Sequence, residues 1–353
     1  MIAAGGTAGH VVPALAVAEQ LRERGADVDF VGGERAEAEL VPGAGFPFHR
    51  LRIVGIDRRR PLRAARAATL AALATARARR LLRRLRVDAV LGGGGYVAGP
   101  VGLAARTLGV PLALSEADSH LGFANRLLAP FARRVFLSFP IAGRDGAKYL
   151  VTGRPLRAAS GEADRERARE RFDISDDESC LLVFGGSLGA RRLNQAAIEA
   201  FGAHAPCAVV HACGRRDHDQ LRRRLDELGT PDHYRLLAYI EPFADALAAA
   251  DLVAARAGGS VLELAAAGLP AILVPFPYAT ADHQTSNARF MERAGAAVVV
   301  RDSDLDGPRL AREVAALLGA PQRMTEMSRA ARAAARRDAA ERIAEELLRM
   351  ISV

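Results

Sequence analysis

The sequence predicts an α/β protein of two doubly wound parallel-sheet domains. Three observations carry that prediction. First, two glycine-rich turns of one kind recur half a chain apart, Gly5-Gly6-Thr7-Ala8-Gly9-His10 and Gly185-Gly186-Ser187-Leu188-Gly189-Ala190. Second, each follows an apolar run and opens into a helical pattern, so each reads as strand, tight turn, helix. Third, short apolar runs alternate with helical segments through the whole chain, the pattern of βα units feeding a parallel sheet. Glycines in such turns let a ligand approach the backbone, and free N–H groups at the helix start face an anion. Two such turns point to two nucleotide-binding folds facing a common cleft.

In the first half, Asp27–Val31 reads as a strand ending at Gly32-Gly33, and Val87–Leu91 as a strand ending in the run Gly92–Gly95. Pro111–Leu114 and Arg134–Leu137 complete that set. Gly153-Arg154-Pro155 marks a boundary, placing a first domain at 1–155 and a second at 156–338. In the second half Cys180–Phe184, Ala208–Ala212, Tyr234–Ala238, Asp251–Ala254, Ala271–Pro275 and Ala296–Val300 read as strands. Met324–Met350 is helical by composition, and its last part, about 339–353, is expected to cross back onto the first domain. Only Met1–Ala4 precede the first glycine turn, fewer residues than a central strand ordinarily has. A misassigned start codon or a trimmed chain would account for this.

With 353 residues, half of them hydrophobic and a quarter charged, the chain is globular and long enough for two cores. The formal charge is +8 and the pI near 10.2. That balance fits an anionic small substrate, an anionic membrane surface, nucleic acid or plain codon bias. Aromatic content of 5% and the lack of a basic-aromatic motif argue against single-stranded nucleic acid. Cys180, Cys207 and Cys213 lack CxxC spacing, which excludes a disulfide framework and a cysteine zinc site and suits a reducing compartment. The sequence contains neither a secretory signal pattern nor a run of 18 apolar residues. Asp57–Arg86 carries eleven arginines, with Leu70, Leu73, Leu81 and Leu85 on one arc. It reads either as a basic interfacial helix or as a solvated charged face.

Several motifs fail their own context. Gly5–Gly9 lacks the G-x-G-x-x-G spacing of dinucleotide binding, and no glycine turn is followed by Lys-Ser or Lys-Thr. Asp302-Ser-Asp304-Leu-Asp306-Gly307, with Glu313 after five intervening residues, matches the calcium-loop pattern letter for letter. The preceding Ala296–Val300 reads as a strand and not as the helix such a loop requires, so a plain loop into a helix is expected. Asp27-Val-Asp29 imitates a metal–nucleotide motif but lies in an alternating strand. No metal site and no cofactor are expected.

His10 is the sharpest candidate for chemistry. An imidazole after a strand-end turn can take a proton from an acceptor hydroxyl; a capping or buried histidine is the alternative. Gly92–Gly95, followed by Tyr96 and Gly99-Pro100, forms a second flexible loop at the same edge, where Gly94, Gly95 and Tyr96 are expected to meet an acceptor together with Asn125. In the second half Gly258-Gly259-Ser260 opens a short helix bearing Glu263. That carboxylate can accept both hydroxyls of a ribose or simply complement the helix N-terminus. The polar cluster Asp282-His283-Gln284 through Asn287 directly follows a strand and suits sugar hydroxyls.

Together the segments Gly5–His10, Gly94–Pro100, Gly185–Ala190, Arg256–Glu263 and Ala281–Ala288 resemble the MurG family, transferases that add N-acetylglucosamine to lipid I in peptidoglycan synthesis. The resemblance implies a GT-B architecture with the active site in the cleft between the domains. It implies a UDP-N-acetylglucosamine donor held by the second domain, an undecaprenyl-linked acceptor facing the first, and an inverting reaction. The enzyme would sit peripherally on the anionic cytoplasmic face of the cell membrane, without nucleic-acid partners. By resemblance Thr7, Ala8 and Gly9 line the donor sugar and phosphates, and His10 is the base for the acceptor C4 hydroxyl. Arg157 and Ser187 contact phosphate, Ile240 offers its backbone to uracil, Glu263 binds ribose, and Asp118 and Gln284 bind sugar. Asp118 and Leu188 stand where the family usually has Asn and Gln. A related transferase with another lipid or small-molecule acceptor, a sugar-nucleotide epimerase and a non-catalytic binding protein are the competing readings.

Overall fold

The computed structural model describes residues 1–51, 61–157, 164–185, 190–279 and 282–351, with Ala8 and residues 61–69 described by backbone alone. Ser187 and Leu188 lie outside the described residues, as does the start of the arginine-rich segment. The chain divides into two compact units, 1–157 with 336–353, and 158–335.

The first unit contains β1 (Ile2–Ala3), α1 (Ala8–Glu23), β2 (Phe30–Gly32), α2 (Glu37–Gly43), β3 (Phe48–Arg50), α3 (Pro61–Arg84), β4 (Val90–Gly92), α4 (Gly95–Leu108), β5 (Leu112–Glu116), α5 (Phe123–Leu128), β6 (Arg134–Leu137) and β7 (Tyr149–Val151). The second contains α6 (Arg165–Arg171), β8 (Cys180–Phe184), α7 (Arg191–Phe201), β9 (Ala208–Ala212), α8 (Arg215–Glu227), β10 (Tyr234–Leu237), α9 (Phe243–Ala249), β11 (Leu252–Ala255), α10 (Val261–Ala267), β12 (Ala271–Leu273), α11 (His283–Arg293), β13 (Ala297–Val299), α12 (Gly307–Leu318) and α13 (Pro321–Ala334). Helix α14 (Ala339–Ile351) returns to the first unit.

Both sheets are parallel throughout. Their orders are β3-β2-β1-β4-β5-β6-β7 and β10-β9-β8-β11-β12-β13. The doubly wound class expected from the sequence is therefore observed twice. Central strands are covered on both faces, and β8 is buried along its whole length. The strand order reverses between β1 and β4 in the first sheet, and between β8 and β11 in the second. Loops at the carboxyl ends of those strands flank the crevice in which such folds hold ligands.

Strands β6, β8 and β9 occupy the residues expected of them, and the other expected strands differ by one to three residues at an end. Strands β3 and β7 were not expected. Each is an edge strand of three residues, at least partly exposed; β3 carries no apolar run, and that of β7 is only three residues long. In helix α3 and just beyond it, the leucine arc Leu70, Leu73, Leu81 and Leu85 stays at least partly exposed. The buried face is Ala74, Ala78 and Leu82, spaced by four, while Leu73 is 50% exposed. Alanine methyls let a helix approach its neighbour more closely than a leucine arc would allow.

The apolar stripe of α14, Ala340, Ile343, Ala344, Leu347 and Met350, joins the core formed by α1 residues such as Val11 and Leu15. Arg24 pairs with Glu341 at 2.9 Å and Arg134 with Glu346 at 3.0 Å along its rim. In the second unit, His211 is wholly buried between the Tyr234 hydroxyl (2.8 Å) and Asn194 Oδ1 (3.1 Å). Burial lowers its pKa to about 3, so it stays neutral. All three cysteines are buried free thiols; burial pushes Cys180 and Cys207 up to about 12 and Cys213 up to about 11. They are packing residues.

Ile343 is fully buried. Ile343→Ala should destabilise the first unit by about 2–5 kcal/mol, measured as the shift in its denaturation midpoint.

Candidate functional site

In the first unit the candidate residues gather where β1, β4 and β5 end. Thr7 occupies the N-cap position of α1 in an extended conformation, and its Oγ1 lies 3.4 Å from His10 Nδ1. The His10 ring packs on the second glycine loop. A Cβ placed on Gly94 would meet His10 Cδ2 at 2.7 Å, and one on Gly95 would meet the Gly5 carbonyl oxygen at 1.9 Å. Both glycines have positive φ, +91° and +76°. The two loops are thus in backbone contact, which only glycine permits here.

A pocket opens beside this contact, lined by Gly9, His10, Gly93, Ser115, Ala117 and Arg154 among others. The Arg154 guanidinium donates to the Gly9 carbonyl at 3.0 Å. Ser138 also lines the pocket, and its buried hydroxyl has no protein partner. Burial lowers the pKa of His10 below 6.5, the nearby Arg154 charge lowers it further, and Asp118 and Glu37 pull the other way. The ring is therefore held neutral, able to accept a proton.

Asp118 and Asn125 are brought together by a residue to which the sequence assigned no role. Glu116, at the end of β5, accepts from Asp118 N (3.2 Å), Gly122 N (2.7 Å) and Asn125 Nδ2 (2.9 Å). Asn125 is buried and also donates to the Ser115 carbonyl at 3.0 Å. Burial raises the Glu116 pKa despite those donors. Tyr96 donates its hydroxyl to Glu37 at 2.9 Å, and burial together with that bond pushes its pKa up to about 12. Glu37 too was not singled out from the sequence. Its only signal there is an acidic residue in the first turn of a helix after a Gly-Gly pair. Arg157 is engaged by Glu19, with contacts of 2.6 and 3.0 Å.

In the second unit, Gly258, Gly259 and Ser260 form the turn between β11 and α10, and Glu263 stands in the first turn of α10, half buried. Buried Asn287 donates to the Ala257 carbonyl at 3.1 Å and so ties α11 to that turn. Gln284 Oε1 accepts from Phe276 N at 2.9 Å, fixing the loop after β12. Ile240 is buried after β10. Arg256 pairs with Asp302 at 2.6 Å and donates to the Val274 carbonyl at 3.1 Å. The calcium-like letters around Asp302 are thereby explained. Asp304 pairs with Arg301, Asp306 caps α12 through Arg309 N, and Glu313 pairs with Arg309. The Asp29 carboxylate of the other metal-like motif bonds His49 at 2.6 Å. Among the described residues, no cluster of three metal-ligating side chains occurs.

Two parallel-sheet units, each with ligand-type turns at its strand-order reversal, define a transferase-like nucleotide-binding architecture. Residues 1–137 match the glycosyltransferase family 28 N-terminal domain, and residues 180–343 match the glycosyltransferase family 28 C-terminal domain. The UDP-N-acetylglucosamine–N-acetylmuramyl-(pentapeptide) pyrophosphoryl-undecaprenol N-acetylglucosamine transferase of Methylococcus capsulatus is 44% identical, over 98% of this chain and 96% of that protein. The crystal structure of Acinetobacter baumannii MurG superposes with a TM-score of 0.78 at 33% identity, covering 99% of this chain and 98% of that one. The UDP-N-acetylglucosamine 2-epimerase of Neisseria meningitidis shares the fold alone, with a TM-score of 0.71 at 15% identity over 98% of each chain. The chain belongs to the MurG family of glycosyltransferases.

Gly95→Ala should destabilise the first unit by more than about 3 kcal/mol. Left-handed strain alone contributes about 1–3 kcal/mol, and the Cβ contact with Gly5 adds to it; thermal melting measures the sum.

Proposed function

We propose that the chain transfers N-acetylglucosamine from UDP-N-acetylglucosamine to the C4 hydroxyl of the lipid-linked N-acetylmuramyl-pentapeptide, lipid I, with inversion at the anomeric carbon. The observation that carries the chemistry is His10, half-buried, lining a pocket, neutral, and fixed against a glycine loop. A neutral imidazole there removes the acceptor proton as the oxygen attacks, a role contributing about 10²–10⁴ in rate. Thr7, Ala8 and Gly9 present the start of α1 to the donor sugar and phosphates. Ile240, Gly258–Ser260, Glu263 and Gln284 bind the UDP-sugar, with Glu263 taking the ribose hydroxyls. Arg157, released from Glu19, and Ser187 contact phosphate. Helix N-termini stabilise the departing diphosphate. Asp118 contributes to the donor-sugar site, and Asn125, Tyr96 and the Gly94-Gly95 loop face the acceptor side.

Transfer of radiolabelled N-acetylglucosamine from its UDP donor to a lipid I analogue, in the presence of EDTA, tests the reading. Labelled lipid is expected. UDP release without labelled lipid overturns the acceptor assignment and favours hydrolysis or epimerisation.

His10→Ala should lower kcat by about 10²–10⁴ while leaving UDP affinity intact; native turnover would remove His10 from the mechanism. The acid limb of kcat/KM should lie below pH 6.5. The base works only when neutral, and its pKa is depressed, so activity persists until the pH falls through that lowered value. A limb at neutral pH contradicts the assignment.

The reading extends to an anionic membrane surface. Among the described residues, no helix is long and apolar enough to cross a membrane. Leu103 on α4 and Phe123, Leu127 and Phe131 on and after α5 are exposed large apolar side chains. Arg126 lies over the Phe123 ring at 5.8 Å and Arg106 over the Phe131 ring at 5.4 Å. Helix α3 adds Arg77, Arg80, Arg83 and Arg84 beside exposed Leu73. Apolar tips within a basic surround suit partial insertion among anionic headgroups. The double variant L127E/F131E should lose cosedimentation with phosphatidylglycerol vesicles yet keep transfer to a short-chain soluble acceptor. Unchanged cosedimentation would exclude this face.

A further inference from the structure

We infer that Glu37 is a positioning residue for the transfer reaction, its carboxylate tying three strand-end loops together beneath His10. The inference rests on the reading of His10 as the base. Glu37 Oε2 accepts from Gly6 N at 2.9 Å, and Oε1 accepts from Gly33 N and the Tyr96 hydroxyl, each at 2.9 Å. Gly6 belongs to the loop after β1, Gly33 to the loop after β2, and Tyr96 to the first turn of α4 after β4. The side chain is fully buried. Both routes from it lead to the same imidazole. Gly6 immediately precedes the α1 cap residue Thr7, with His10 three positions further on. Tyr96 anchors the end of the Gly94-Gly95 loop, on which the other side of the ring packs.

The neighbouring glycines make room for this carboxylate. A Cβ on Gly5 would lie 2.9 Å from Glu37 Oε1, and one on Gly32 would lie 2.6 Å from its Cγ. A Cβ on Gly33 would lie 1.9 Å from the Tyr96 hydroxyl oxygen. The glycines at the ends of β1 and β2 thus serve a protein group as well as any ligand. Three donors converge on two acceptor atoms, which matches a carboxylate and no other side chain of that length. An amide has one acceptor oxygen, so it must set its NH₂ against a donor. All three donors are neutral, so the negative charge stays in place under the turn. Burial opposes ionisation of Glu37, but the Gly6 N–H, its own N–H, the Tyr96 hydroxyl and the Gly33 N–H outweigh it and hold the pKa below the usual carboxylate range. The charges acting on His10 are this one, Asp118 with the same sign of effect, and Arg154 with the opposite.

The test is Glu37→Gln in the full chain, with its fold checked by circular dichroism and thermal melting. Steady-state kinetics and NMR titration of the His10 imidazole are then compared with the native enzyme. The expected result is a kcat/KM for the lipid acceptor lower by about ten- to a hundredfold, the effect of a displaced catalytic group. UDP affinity should be kept, and His10 should titrate at lower pH because a negative charge has gone. An unmoved His10 titration with native kcat overturns the inference. A lowered His10 pKa with native kcat upholds the Glu37 contact and overturns His10 as base. Tyr96→Phe is the second variant should the first not fold. It keeps the charge and both backbone bonds, so His10 should titrate as in the native enzyme while kcat/KM for the acceptor falls about three- to tenfold, the weight of one hydrogen bond. Native kcat/KM in that variant overturns the clamp.

Discussion

Two backbones meet where the turn after β1 passes the loop after β4. The Gly5 carbonyl occupies the space a side chain on Gly95 would need, and the strand order of the first sheet reverses at the same point. The rest of the first unit follows from that contact. Helix α1 must start there, which sets Thr7 as its cap and brings His10 against Gly94. Helix α4 must start there too, which delivers Tyr96 to Glu37. A parallel sheet supplies such meeting points only at its switch point, where neighbouring strands send their helices to opposite faces. The position of the histidine is thus a property of the topology first and of its local sequence second.

The second unit solves a related problem with charge. Arg256 is buried at the end of β11, and burying a guanidinium costs free energy unless its donors are met. The Asp302 carboxylate offsets its charge at 2.6 Å, and the Val274 carbonyl accepts from its Nη1. The turn carrying Gly258–Ser260 is therefore pinned from below by an ion pair and from the side by Asn287. A turn held in this way is pre-organised and loses little freedom when it is engaged.

Much of this was legible in the sequence. Alternating apolar runs located ten of the thirteen strands among the described residues; β1 was legible chiefly through the turn that follows it. The glycine turns located the strand ends, and Ile2, Leu181 and Val183 are as buried as a doubly covered sheet demands. What escaped has physical reasons. Edge strands β3 and β7 bury one side at most, so Phe48-His49-Arg50 carries no apolar run to notice. Leucines are the visible letters of α3, yet close packing chose Ala74 and Ala78. Glu37 and Glu116 had no assigned role because a carboxylate looks solvated until the fold shows donors converging on it. The calcium-like run shows the converse. Its letters were right, but Arg256, distant in sequence, took Asp302, while neighbouring Arg301 and Arg309 and the start of α12 took the other carboxylates.

The return of α14 has a consequence for how the molecule comes into being. The second unit is one continuous stretch, 158–335, whereas the first is finished only by a segment that follows it, α14. During synthesis, the first sheet must wait with Leu15 and its neighbours uncovered while the ribosome makes the entire second unit. Only after Ile343 and Leu347 leave the exit tunnel can that core close. The unit that carries His10 is begun before the other and completed after it, so a ribosome that stops short of α14 releases a chain with its second unit whole and its first core open.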